Sequence, residues 1–328
     1  MISTQNSETN LERLRAQRWF YSSAKRALLV QFILDVPVIV VLGIACAFMR
    51  SSTVMGLLGF APYDLSGILA VFGIVVALLD WMVLGQLVHS KRTTAAKIQE
   101  LFDCDVLKLP WNALFIGRPP TREETIHGAS KHLESEGNDS ELINWYPQSV
   151  DLLPEYGARL VCQRESLSWD SELRTRFVSH LIVVSLVVFA ILFVFGMAGR
   201  FTLGNFIISV LAPCLPIFGF TLRQSIENRR SVNDLNDLRC RIDDAVNSFL
   251  KSELDSQSAL SISRSIQDAI FVHRKSAPLI PDYYYEKYKQ RDETLAIQTA
   301  DQIVKEYKVT KGNGNAGGRS TSRVKQKI

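Results

Sequence analysis

The longest apolar block in the chain runs from Phe177 to Leu222. In its 46 residues, His180 and Arg200 are the only basic or acidic side chains. A helix needs about 20 apolar residues to cross the roughly 30 Å hydrocarbon core of a bilayer. The block is two such lengths joined at Ala198-Gly199-Arg200, and a helix apolar on every face does not fit a soluble surface. Two earlier runs have the same character, Ala27–Met49 and Leu65–Val88. Ala45-Cys46-Ala47 has the small-residue form of a signal-peptide cleavage site. Against that reading, the run exceeds the 7–15 residues of such a segment and contains Asp35. The pattern predicts an all-α polytopic membrane protein with four spans in two helical hairpins, 27–89 and 177–222.

Between and around the spans the periodicity changes. Residues 1–26 are polar, and Leu11–Tyr21 reads as an amphipathic helix, basic on one side, with Trp19, Phe20 and Tyr21 near the membrane boundary. The insert 90–176 opens with Thr94–Leu107, apolar at helical spacing and ended by Pro110. A polar stretch at 128–140 follows, then an ordered piece broken by Pro147 and Pro154. In 223–308, Leu235, Leu238, Ile242, Ala245 and Phe249 step by 3 and 4, a two-heptad seam that fits either packing on neighbouring helices or self-association. A helix over about 259–274 and a charged one from Tyr283-Tyr284-Tyr285 come next. The Gly-rich, acid-free tail from Val309 reads as disordered.

Charge orients these pieces. Of the 37 Lys and Arg, five lie in residues 1–26, eleven in 90–176 and nineteen in 223–328, while the two hairpin loops hold Arg50 and Arg200. By the positive-inside rule both termini and the insert face the cytoplasm. Five scattered cysteines without a C-x-x-C form neither a disulfide framework nor a zinc pattern. The net charge of +4 does not concentrate into a groove for a DNA or RNA duplex.

The chain lacks a P-loop, G-x-G-x-x-G, G-x-S-x-G and H-E-x-x-H, so no enzyme activity, cofactor or metal is expected. Asp103 and Asp105 flank Cys104, but residues two apart on a helix point to different sides, and a solvated face is the reading. Asp35 and Asp80 are more telling. Each lies about eight residues from the cytoplasmic end of its span, so both sit at a similar depth, roughly 12 Å in. Buried charge there is costly unless it meets protein or water, which allows a shared polar layer; pairing with Lys or Arg nearer the headgroups is the alternative. Pro213 and Pro216 predict a kink in the fourth span, either a bend or a gating hinge. Beside prolines or acids stand Pro110-Trp111-Asn112, Trp145-Tyr146 and Trp169. These aromatics suit packing, or stacking on a purine ligand.

The order of motifs is distinctive: AAKIQELFDCDVLKLPWN directly after the first hairpin, then NWYP and ARLVCQRESLSWD before the second. With Leu101-Phe102-Asp103 and Leu109-Pro110-Trp111-Asn112 as its most specific part, the chain resembles the SMODS-associating four-transmembrane effector family over about residues 10–300. That resemblance implies a bacterial inner-membrane protein activated by a cyclic oligonucleotide from a partner synthetase. It would disrupt the bilayer so that a phage-infected cell dies. Four apolar spans cannot enclose a wide aqueous pore, so conduction would require a homo-oligomer or general bilayer disruption. A membrane-anchored signalling scaffold and a small transporter using Asp35 and Asp80 are the rival readings.

Overall fold

The computed structural model describes residues 1–50, 55–56, 58–135, 138–198, 203–207 and 211–321. Among them every regular element is helical. Helix α1 (Glu8–Ile33) passes through a π-helical turn, Leu34–Val38, into α2 (Ile39–Arg50). Helix α3 (Ser66–Leu79) passes through a second π-helical turn, Asp80–Leu84, into α4 (Gly85–Val106). Short α5 (Ala113–Ile116) and α6 (Arg122–Ser135) precede α7 (Glu155–Ala198). Then come α8 (Leu203–Phe206), α9 (Ala212–Leu250), α10 (Ser256–Ser276) and α11 (Asp282–Thr321).

Three helical paths are long and apolar enough to cross a membrane: Glu8–Cys46, Ser66–Val106 and Glu155–Val194. In each, the apolar stretch is only one end of a longer rod whose other end is polar and packed against protein. Helix α7 shows this most clearly, with 44 unbroken residues spanning about 66 Å at 1.5 Å per residue. The apolar run expected as a fourth span is carried by α8 and the start of α9; residues 199–202, including the hinge's Gly199 and Arg200, and residues 208–210 lie outside the described set.

The polar ends of α1, α4, α7, α9, α10 and α11 converge on one core. Leu14, Phe102, Leu160, Leu235, Ile266 and Val304 are buried together there. Burying each such side chain contributes about 1.5–3 kcal/mol. The heptad positions Leu235, Ile242, Ala245 and Phe249 face inward, with Leu238 packed at the edge. This core therefore consumes the seam that could also have served self-association. Phe249 stacks on Tyr307 (5.0 Å between centroids) and meets Tyr156 edge-on (5.3 Å). Below it Gly157 is required, because a Cβ there would lie 2.3 Å from the ring.

Three elements extend or correct the expectation. The stretch read only as polar at 128–140 is helical as far as Ser135, the end of α6, which packs tightly on α1 through Gly128. A Cβ at Gly128 would lie 2.9 Å from the Phe20 ring and 3.0 Å from Ala16. The N-terminal helix spends much of its aromatic and basic surface on contacts within the protein. Phe20 is buried against Ala16, Ala95, Ile98 and Ala129, and the basic face is tied by Arg13–Asp105, Arg15–Asp139 and Arg18–Glu141 ion pairs. Helix α11 continues past Val309, where disorder is expected, as far as Thr321; it runs on from a segment anchored by Ala300, Ile303 and Val304.

Candidate functional site

A cavity of ≈ 770 Å³ opens within the polar bundle. That volume falls in the 300–1,000 Å³ range of small-molecule sites. Helix α1 contributes Gln17, Arg18, Tyr21 and Lys25, and the loop before α7 contributes Trp145, Tyr146 and Ser149. Helix α7 supplies Glu165, Trp169, Asp170 and Arg174. The far wall is His273 and Arg274 of α10 with Tyr285, Ile297 and Asp301 of α11.

The cavity's cations are held by acids. Arg18 pairs with Glu141 and lies 5.4 Å over the Tyr285 ring. Lys25 pairs with Asp282. Arg174 donates to Asp170 Oδ2 (3.1 Å), Asn228 Oδ1 (2.9 Å) and the Pro278 carbonyl (2.8 Å). His273 Nε2 also meets Asp170 Oδ2, at 2.5 Å. Burial pushes the Asp170 carboxyl upward, but the charges of Arg174 and His273 outweigh it and hold the group below the usual carboxylate range. Each of these cations already has an acid partner, so a ligand's anionic oxygens would share the cation with that acid.

Behind the cavity lies a buried polar network. Asp103 is fully buried, so it does not sit on a solvated face as its neighbourhood in the sequence suggests. It accepts hydrogen bonds from the Tyr146 hydroxyl (2.7 Å), Gln267 Nε2 (2.9 Å) and Arg274 Nη1 (2.5 Å). One turn earlier Glu100, also fully buried, accepts from Arg264 Nη2 (2.7 Å) and Gln267 Nε2 (2.9 Å). Burial and then the neighbouring Asp103 charge raise the Glu100 carboxyl above its ordinary value, against the pull of Arg264. Asp105 alone of the pair faces outward, bonded to Arg13 at 2.9 Å.

The structure divides the aromatics singled out in the sequence. Trp145, Tyr146 and Trp169 line the cavity, the last with its ring 5.6 Å from that of Tyr285. Pro110, Trp111 and Asn112 do not. The Pro110 carbonyl accepts from Arg264 (2.9 Å), Trp111 Nε1 donates to the Gly117 carbonyl (3.0 Å), and Asn112 Nδ2 donates to Asp268 (2.7 Å). Those bonds close the turn after α4 onto α10. Sequence reasoning missed Arg18, Tyr21, Glu165, His273, Arg274 and Tyr285 as cavity residues; the tyrosine triplet at 283–285 was the available signal for one of them.

The acids of the membrane-length helices occupy matching features. Asp35 lies in the first π-helical turn with Pro37, and Asp80 begins the second. A π turn inserts a residue and leaves the local hydrogen-bond ladder irregular, a feature enriched at functional sites. Here the Gly85 amide bonds the Asp80 carbonyl, closing the wider turn. The turn at Asp35 packs against α3 and α9, and that at Asp80 against α1. Asp35 is within electrostatic range of Asp80 and of Arg223. Both acids are half-buried, and Asp80 Oδ1 is enclosed without a hydrogen-bond partner. Pro213 takes the start of α9, where its missing N–H costs nothing, and Pro216 lies inside the helix shortly after.

The model of the SMODS-associating 4TM effector domain matches residues 1–303. Among curated proteins the chain is similar to a protein of Bacillus cereus (strain VD146) named as a probable CBASS effector molecule. The two are 28% identical over 306 residues, covering 93% of this chain and 98% of the relative. No solved structure matches.

Proposed function

The chain belongs to the SMODS-associating 4TM effector family, and from that premise we propose that it is a membrane-disrupting effector of cyclic-oligonucleotide-based anti-phage defence. A nucleotide made by a partner synthetase enters the cavity, and the bacterial inner membrane then loses its barrier. The polar bundle and both termini are cytoplasmic, in keeping with the distribution of Lys and Arg. Four spans form two hairpins, and several copies assemble to disrupt the bilayer. The chain makes and breaks no bonds of its own.

One observation carries this reading. The cavity walls are the same rods that enter the membrane. Tyr21 and Lys25 line the cavity on α1, and the apolar run begins two residues later at Ala27. On α7, Arg174 lines the cavity and the apolar run begins at Phe177 without a break in the helix. A ligand that moved these walls would move the spans, and the π turns at Asp35 and Asp80 are where the rods can adjust.

The test is to express the protein with and without a nucleotide-producing synthetase and follow membrane potential with a dye. Depolarisation is expected only when both are present. Depolarisation without the synthetase, or none with it, refutes the proposal. Replacing Asp35 or Asp80 with Asn keeps size and lowers the cost of burial, so insertion should persist while the depolarisation rate changes. Unchanged rates in both variants would remove the acidic pair from the mechanism.

A further inference from the structure

Three buried or enclosed polar atoms at the wall of the cavity have no hydrogen-bond partner: Gln17 Oε1, Ser149 Oγ and Glu165 Oε1. Buried polar groups in folded proteins are nearly always bonded, and three of those left unpaired among the described residues belong to the wall of this one cavity. Glu165 is the most costly of them. Its side chain belongs to a residue only 9 % exposed, and the neighbouring charges are Arg164 and Asp301, with no bonded cation on Oε1. Burial pushes its carboxyl up to about 8. One helical turn further along α7, and so on the same face, stands Trp169, its ring against that of Tyr285. An unpartnered carboxyl in the cavity wall beside a paired aromatic surface suits a flat heterocycle carrying N–H groups on its edge.

We propose that Glu165 and Gln17 select the base of the activating nucleotide, accepting hydrogen bonds from the exocyclic amine of an aminopurine stacked on Trp169. This deepens the reading of the cavity as a nucleotide site and rests on it. Adenine carries its amine on C6 and guanine on C2; hypoxanthine has neither while keeping the purine shape. A site that leaves a buried acceptor unpaired when the amine is missing rejects the analogue strongly.

The full-length protein in lipid nanodiscs is titrated with cyclic dinucleotides carrying adenine, guanine, hypoxanthine or uracil, and the affinities are compared with those of Glu165→Leu and Trp169→Ala. Leucine fills similar space without a polar atom, so the variant should fold with undiminished thermal stability. The wild type should bind an adenine or guanine ligand at least about tenfold more tightly than the hypoxanthine one. Glu165→Leu should erase that ratio, and Trp169→Ala should weaken all purines alike. Equal wild-type affinity for aminopurine and hypoxanthine ligands overturns the assignment of Glu165 and leaves the nucleotide cavity standing. A Glu165→Leu protein that keeps the full ratio overturns it too. Failure of the wild type to bind any of the four overturns the nucleotide reading itself, and this inference with it.

Discussion

The polar bundle and the membrane-length helices are made of the same rods, yet they are stabilised by opposite means. In the bundle, Phe102, Phe249 and Phe271 are fully enclosed and the buried acids Glu100 and Asp103 are each multiply bonded. In the apolar windows of the three long helical paths only 6% to 17% of residues are buried within the chain. Val71, Ile74, Val183, Leu186 and Val194 all point outward. In water such surfaces would be untenable; lipid removes the penalty, and it also removes the hydrophobic drive for helices to pack together. The difference teaches that the bundle holds most of the buried core, while the spans bury little of their surface within the chain.

The largest effect should come from the bundle's centre. Asp103→Ala leaves Arg274 buried without its carboxylate and strips acceptors from Tyr146 and Gln267. Breaking a buried ion pair by removing one partner costs about 3–5 kcal/mol, so the variant should unfold at markedly lower denaturant when purified in detergent. A shift below about 1 kcal/mol would mean that the network is not holding the bundle together, and the contrast between regions would collapse. Gly157→Ala comes next. The new methyl would lie 2.3 Å from a ring already confined by Tyr156 and Tyr307, and overpacking of this kind costs about 1–3 kcal/mol. Co-substituting Phe249→Leu should recover much of the loss.

A pH series sharpens the comparison, because ionisable groups in the bundle feel burial that solvent does not relieve. The Glu165 residue precedes the apolar run of α7, and its carboxyl is raised from 4.5 to about 8 by burial, with Arg164 opposing and Asp301 reinforcing the shift. The folded state therefore keeps a proton that the unfolded chain has released. Its contribution to stability is fully present below pH 4.5, declines as pH rises towards 8, and is lost above that value. The slope is at most about 1.4 kcal/mol per pH unit. Glu100 shifts in the same direction, so the measurement that isolates Glu165 is the difference between wild type and Glu165→Gln. Parallel stability curves between pH 5 and 8 would contradict a buried, unpartnered carboxyl.

The two regions were also unequally legible in the sequence. Apolar length and the asymmetry of Lys and Arg need no tertiary information, so the long helices could be read directly. The heptad seam at 235–249 was visible as a pattern, though its partner was not; only the fold shows that Tyr156, Tyr307 and their neighbours fill that role. Asp103 was misread because spacing separates the faces of a helix without saying which is covered. Its cationic partner, Arg274, is 171 residues away. The same limit explains the aromatics. Trp111 and Trp145 look alike in sequence, each beside a proline or a polar neighbour, but Trp111 has its N–H tied to Gly117 while Trp145 lines the cavity. Glu165 carried no signal at all, since a glutamate in a charged helix resembles any solvated one until the helices around it close.

The smallest expected effect tests the membrane side of the contrast. Ser185 and Thr221 are buried against each other where α7 and α9 run together, their hydroxyl oxygens 2.6 Å apart. In a polar core of low dielectric such a bond, once broken, would strand a group with nothing to replace it. Within the membrane-length segment Ser185 already has a second partner, the Leu181 carbonyl one turn back at 2.9 Å. A separated helix in lipid would keep that bond, so the inter-helix bond contributes only the difference. Polar contacts between membrane helices average about 0.6 kcal/mol in double-mutant cycles. Ser185→Ala, Thr221→Val and the double variant should therefore give a coupling near that value when unfolding is followed in detergent. A coupling of about 2 kcal/mol or more would show that these helices are fastened as firmly as the bundle, leaving the rods no freedom to respond to a ligand at their polar ends.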